Sequence, residues 1–160
     1  MNLDRTDIAL LGLLRKNARL PNKTLAEKAG IAPSTALERI RRLREAGVIE
    51  GYHAEFDAVR LGFGIQAMVA VRLTKHSRAL VDAFLAHLAT RPEVMAHYHV
   101  AGADDFLVHI LARDADHLRE LTLSTFTERD EVAHIETHLI FAFQRNTELP
   151  ISAADSHHPE

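Results

Sequence analysis

Apolar residues along the first fifty positions recur at helical spacing and predict three helices separated by short polar breaks. Ile8, Leu11 and Leu14, backed by Leu10 and Leu13, predict a helix from Asp4 to Asn17, with Asp4 and Asp7 suiting its positive N-terminal end. Pro21 and Asn22 punctuate the chain. Thr24 with Glu27 has capping-box spacing, Asn22 being the other candidate cap. The second helix turns Leu25, Ala26 and Ala29 inward and stops at Gly30. The third starts near Pro33, whose missing N–H would be unpaired in a first turn anyway, and Gly47 ends it. At 100° per residue, Ala36, Leu37, Ile40 and Leu43 share one face, while Ser34, Thr35, Glu38, Arg39 and Arg42 share the opposite one. Val48, Ile49, Tyr52 and Phe56 then predict a short hairpin, or wing.

Further along, the period changes from helical to alternating. Ile65, Ala67, Val69, Val71 and Leu73 share one parity of a strand over Ile65–Thr74. A helix over Arg78–Ala89 follows, capped by Ser77 and closed off by Pro92. Val94–Ala101 and Phe106–Ala112 are strands separated by Gly102–Asp105. A helix over Asp116–Thr127, with Asp114 as its cap, leads to a last strand, Val132–Phe143. The order βαββαβ is the ferredoxin-like split βαβ pattern. The fold class expected is therefore α+β, with a winged helix-turn-helix domain over 1–58, a linker over 59–64, a βαββαβ domain over 65–150 and a mobile tail over 151–160.

Composition narrows the chemistry. The chain has no cysteine, which removes disulfides, thiolate catalysis and cysteine-based metal sites. No apolar run is long enough to span a membrane, and no secretory signal opens the chain, so a cytoplasmic location is expected. The formal charge of −3 is unevenly spread: residues 1–62 carry eleven Lys/Arg against eight Asp/Glu, and residues 63–160 carry eight against fourteen. Four arginines, Arg39, Arg41, Arg42 and Arg44, fall within six residues of the third helix. A short helix stopping at glycine, followed by a longer basic one, is the layout of a DNA-reading helix-turn-helix. Ser34, Thr35, Glu38, Arg39 and Arg42 are the candidate DNA contacts on the outward stripe, arginine being suited to grip a guanine edge with two bonds. Lys23 and Thr24, at the start of the second helix, are candidates for holding a phosphate. Removing Arg39 or Arg42 is expected to weaken DNA binding and leave the fold intact. No enzyme is expected: there is no nucleophile elbow, phosphate loop or H-E-x-x-H motif, and the adjacent Asp104 and Asp105 make a poor acid/base pair.

With these elements in order, the chain resembles the Lrp/AsnC (leucine-responsive/asparagine-responsive) family of prokaryotic transcription regulators. The resemblance rests on LDRTDIALLGLLRKNAR, LAEKAGIAPSTALERIRRLREAGVIEGYHA, the linker DAVRLGFG, the loop GADDFLV and the ending NTELPI. Ala32 stands where the family usually has a capping Ser, and Thr-Glu-Arg-Asp replaces the usual Leu-Pro-Gly before the last strand. The resemblance implies a homodimer that assembles to a tetramer or octamer on double-stranded DNA. It also implies a small amino-acid effector, with no other cofactor, bound at the contact between dimers. Carried over by position, that pocket involves Gly102, Asp105 and Phe106 with Asp104 close by, and His138, Leu139 and Ile140 on the last strand.

His97 and His99 share a strand parity, as do His134 and His138, with His109 joining them if the register allows. A zinc site is one reading of such a face and a semi-polar dimer interface is the other; no metal is assigned. Three alternatives stay open: an effector-free architectural DNA binder, an amino-acid-binding interaction module whose main partner is a protein, and a metal-responsive regulator using the histidine face.

Overall fold

The computed structural model describes residues 2–75, 77–146, 148 and 150. The expected mobile tail lies outside the described residues. The chain divides into two units, Met1–Glu55 with a returning segment from Gln144, and Phe56–Phe143.

In the first unit, helices α1 (Arg5–Lys16), α2 (Asn22–Ala29) and α3 (Pro33–Glu45) pack around Leu10, Leu14, Leu25, Ala26 and Ala36. Asp4 caps α1, and Asp4 and Asp7 close a reciprocal capping box, satisfying two N–H groups the helix leaves unpaired. The cap expected from Thr24 or Asn22 does not form. Pro21 occupies the α2 N-cap without a side-chain bond, and the Asn22 amide instead donates to Pro33 O at 2.7 Å. Gly30 adopts the left-handed conformation (φ 67°) that lets Ile31 N–H reach back to Ala26 O, which ends α2 and turns the chain into α3. With Ala at its N-cap, α3 has no side-chain cap.

Among the described residues, 50–57 pair with no strand, so the segment expected as the wing follows α3 as unpaired chain and not as a hairpin. A hairpin needs a returning partner, and Asp57 instead starts a tight turn, its carboxylate accepting from Val59 and Arg60 N–H. The segment from Gln144, expected with the second domain, clusters with the first unit. Arg15 donates to Asn146 O, and Lys16–Glu148 and Arg145–Glu55 form ion pairs at 2.7 and 3.1 Å.

The second unit is a four-stranded antiparallel sheet in the order β2-β3-β1-β4, formed by β1 (Ile65–Leu73), β2 (Val94–His99), β3 (Phe106–Ala112) and β4 (Val132–Leu139). Helices α4 (Arg78–Leu88) and α5 (Ala115–Thr122) complete the βαββαβ pattern. Ala67, Val69, Val71 and Leu73 meet Phe84, Leu88, Phe106, Val108, Ile110 and Phe126 in one core. Phe84 is its hub, 5.0 Å from Phe106 and 6.4 Å from Phe126 between ring centroids. The expected single helix to Thr127 is α-helical only to Thr122; Leu123–Thr127 is a π-turn. Arg91 donates to the turn carbonyl of Ser124, and His87 Nε2 lies 3.1 Å from that of Thr125. β4 stops at Leu139 rather than Phe143: Leu139 stands across from Ala67, and Ile140 N–H makes a last bond to Gln66 O.

Truncating the hub should be costly: Phe84→Ala is expected to lower the unfolding free energy by about 3–5 kcal/mol in urea titration, the range for deleting a buried ring. Burial also pushes His109 below its ordinary pKa, and burial with the nearby Arg129 and Arg91 guanidiniums does the same to His87. The unfolded chain therefore takes up protons first as pH falls through 6.5, so the contribution of these rings is present above that pH and lost below it. The urea midpoint is expected to be lower at about pH 5.5 than at about pH 7.5, and His87→Gln with His109→Gln to flatten the difference.

Candidate nucleic-acid interface and ligand site

Two helix starts are drawn together in the first unit. The Asn22–Pro33 bond joins the beginning of α2, carrying exposed Lys23 and half-buried Thr24, to the beginning of α3, carrying exposed Ser34 and Thr35. Unpaired backbone N–H groups and the positive helix ends lie there with hydroxyl and ammonium groups, an arrangement suited to anionic oxygens. Glu38 is exposed on the next turn and pairs with Arg41 at 2.7 Å.

The outward stripe needs correction at its arginines. Asp7 is wholly buried and receives both: Arg39 Nη1 donates to its Oδ1 and Arg42 Nη2 to its Oδ2, each at 2.8 Å. Arg39 also donates to Asp4 Oδ2 at 2.6 Å. Its side chain, 25% exposed, thus lies between α1 and α3, whereas that of Arg42, with one such bond, is 51% exposed. The two carboxylates hold Arg39 above its usual pKa, and Asp7 N–H with Arg39 holds the Asp4 carboxyl below its own. The inward stripe is corrected at Leu37, which is 62% exposed. It lines a groove of about 570 Å³ with Ile40 and Ile49, edged by Arg41 and Arg44. Sequence spacing had offered Asp4 and Asp7 as partners of the helix dipole; that they cross to α3 appears only in three dimensions.

The candidate effector residues divide into two places. Gly102 lies in the β2–β3 loop with φ 147°, followed by half-buried Asp104. Asp105, 3% exposed, is tied into the sheet: its Oδ2 accepts from Leu73 N–H at 2.7 Å, and its own N–H donates to Val71 O. Phe106 is fully buried, stacked at 4.7 Å on His99. The other group, His138, Leu139 and Ile140, lies toward the opposite end of the sheet. Phe106 stands across from Val71 and Leu139 across from Ala67, so about 13 Å of strand separates them at 3.3 Å per residue. One chain does not bring these two groups together.

The histidines are divided too. The register shift between Val94 and Ala96 inverts the parity of β2, setting His97 opposite Val108 and His99 opposite Phe106, on the helix-covered face. His109 and His138 flank Met68, and His134 faces Arg72, all on the open face. The expected common histidine face is therefore not formed.

A three-helix unit with its reading helix exposed at the N-terminal turns, carried with a split βαβ sheet, defines a helix-turn-helix regulator with a separate ligand-binding domain. Residues 3–50 match the winged helix-turn-helix DNA-binding model, and residues 66–146 match the Lrp/AsnC ligand binding domain. The HTH-type transcriptional regulator AldR of Mycolicibacterium smegmatis is 44% identical over 144 residues, covering 90% of this chain and 84% of that protein. The AldR of Mycobacterium tuberculosis is 41% identical over 143 residues, covering 89% and 80%. A transcriptional regulator of Neisseria meningitidis, solved as its L-Met complex, superposes with a TM-score of 0.85 at 28% identity, over 92% of this chain and 96% of that one. The chain belongs to the Lrp/AsnC family of transcription regulators. Among the described residues, no helix is long and apolar enough to cross a membrane.

Asp105→Ala leaves the buried Leu73 N–H without its acceptor and is expected to destabilise the fold by about 1–3 kcal/mol in thermal or urea unfolding. Asp104→Ala, at the half-exposed neighbour, is expected to leave the unfolding midpoint within experimental scatter.

Proposed function

We propose that this regulator binds double-stranded DNA sequence-specifically as a homodimer or larger assembly, and that a small amino acid bound between copies shifts its DNA binding or its assembly. The supporting observation is the split of the ligand-site residues. Gly102, Asp104, Asp105 and Phe106 lie at one end of the sheet, and His138, Leu139 and Ile140 toward the other; in this reading they form one pocket when two copies meet. A ligand held there stabilises the assembled state, and it shifts DNA affinity by its differential affinity for the two states. Asp105 is bonded to the backbone, so in this reading the half-buried Asp104 is the carboxylate that takes an α-ammonium group, and glycine at 102 allows close approach of main chain to ligand. The Neisseria regulator solved with L-Met supports an amino acid as the ligand class.

On the DNA side, Ser34, Thr35, Glu38 and Arg42 of α3 are the groups we assign to the major groove, and Lys23 and Thr24 to a flanking phosphate. Arg39 acts in this reading as a strut between α1 and α3. Two copies present two reading helices to a two-fold related site. A cytoplasmic location fits this role.

The test is thermal unfolding of the full chain against each of the twenty amino acids at millimolar concentration. A selective rise with one or a few is expected, since a ligand that binds only the folded protein raises the midpoint by mass action. Asp104→Ala should lose that rise while keeping DNA binding. No rise with any amino acid, in protein that binds DNA, would transfer the assignment to an effector-free architectural regulator. Absence of salt-dependent DNA binding would favour the amino-acid-binding interaction module.

A further inference from the structure

The acid pair at the start of α1 has no part in the DNA reading just proposed, yet it takes the charge of two α3 arginines. Asp4, Asp7, Arg39 and Arg42 close a cluster of two carboxylates and two guanidiniums with no net charge. Arg41 is separately paired with Glu38 and, at 3.9 Å, with Glu45. Arg44 lies 6.0 Å from the Tyr52 ring centroid. The most basic segment of the chain therefore offers a duplex much less free charge than its composition suggests. Within the cluster the two arginines differ. Arg39 bonds both carboxylates, while Arg42 bonds Asp7 through Nη2 and keeps its side chain half exposed. A guanidinium has five N–H donors in a rigid fork, so one bond tethers the group and leaves the other donors to point elsewhere.

We infer that Asp7 is a positioning residue for DNA reading: it aims Arg42 from behind toward one base edge or phosphate and cancels the charge that would otherwise attract any duplex. Pre-orientation reduces what Arg42 must lose in freedom on binding, and this favours a site whose acceptor lies in its path. Charge cancellation acts on every sequence alike and lowers the sequence-independent background. Discrimination between sites thus rises through both effects, although Asp7, wholly buried, touches no DNA. This inference rests on the DNA-binding reading above, and its test separates the two.

The measurement is fluorescence anisotropy of the full chain on two labelled duplexes of equal length, over about 50–300 mM salt. One duplex is the consensus that the parent protein selects from a random pool; the other is its scrambled sequence. Asp7→Asn keeps the side-chain shape and removes the charge. The variant is expected to bind the scrambled duplex about tenfold more tightly at the low-salt end, with a salt slope steeper by about 0.9, the value for one added phosphate contact. Preference for the selected duplex should fall by about tenfold. A purely structural role would lower the unfolding midpoint and leave slope and preference unchanged, which would overturn the inference. Arg42→Gln, with Asp7 intact, keeps the inference testable if Asp7→Asn does not fold. It should make the slope on the selected duplex shallower by about 0.9 or lower the preference for that duplex by about tenfold, whereas slope and preference both unchanged would mean Arg42 is spent inside the cluster and would overturn the inference. A parent protein that enriches no sequence from the random pool and binds no duplex refutes the DNA-binding reading itself, and the role of Asp7 with it.

Discussion

Strand β1 governs the second unit because it is hydrogen-bonded along both edges, to β3 on one side and β4 on the other. Its alternation is therefore imposed on both neighbours: whatever stands across from Val69 or Val71 is turned toward the helices, and whatever stands across from Met68 or Arg72 is turned to the open face. A one-residue slip would expose Val69 and Val71 and bury Arg72, so the apolar pattern of β1 fixes the register strongly. Phe84, Phe106 and Phe126 then complete a core whose geometry leaves little freedom. The candidate ligand residues of this unit inherit their places from that register, including the separation of Asp105 from His138 along the sheet.

The Asp105 carboxylate illustrates how one residue can serve the loop and the sheet together. Buried and bonded to Leu73 N–H, it fixes where β1 ends and where the β2–β3 loop passes into β3. The loop at Gly102 is consequently presented on a rigid base, as a binding surface needs. A comparable division of labour runs through the first unit. Asp7 joins α1 to α3 by its side chain while it completes the α1 capping box, so the orientation of the reading helix is tied to the start of the chain. The short contacts of a small three-helix core are thereby reinforced by a charged cluster that apolar packing alone would not orient.

Much of this architecture was legible in the sequence because it depends on local periodicity and cap chemistry. The α3 limits followed from Pro33 and Gly47, the Ser77 and Asp114 caps from hydroxyl and carboxylate oxygens ahead of apolar runs, and β3 from an apolar segment interrupted by His109 alone. The order βαββαβ and the family followed from the sequence of those elements. Other features depended on partners far along the chain. Arg39 and Arg42 read as an exposed stripe because helical spacing reports angle around one axis and says nothing of a carboxylate on another helix. The histidines read as one face because parity counting cannot see the bulge near Met95 that inverts β2.

The sequence by itself thus determined the elements, their order and the identity of the two modules, since short-range sterics, capping and hydrophobic period act within a few residues of each position. Tertiary structure alone decided which charges remain free on α3, which histidines share a face and which candidate ligand residues one copy can bring together. Those outcomes depend on register and on pairings more than thirty residues apart, such as Asp7 with Arg39 and Leu73 with Asp105, where the chain must fold before either partner exists for the other.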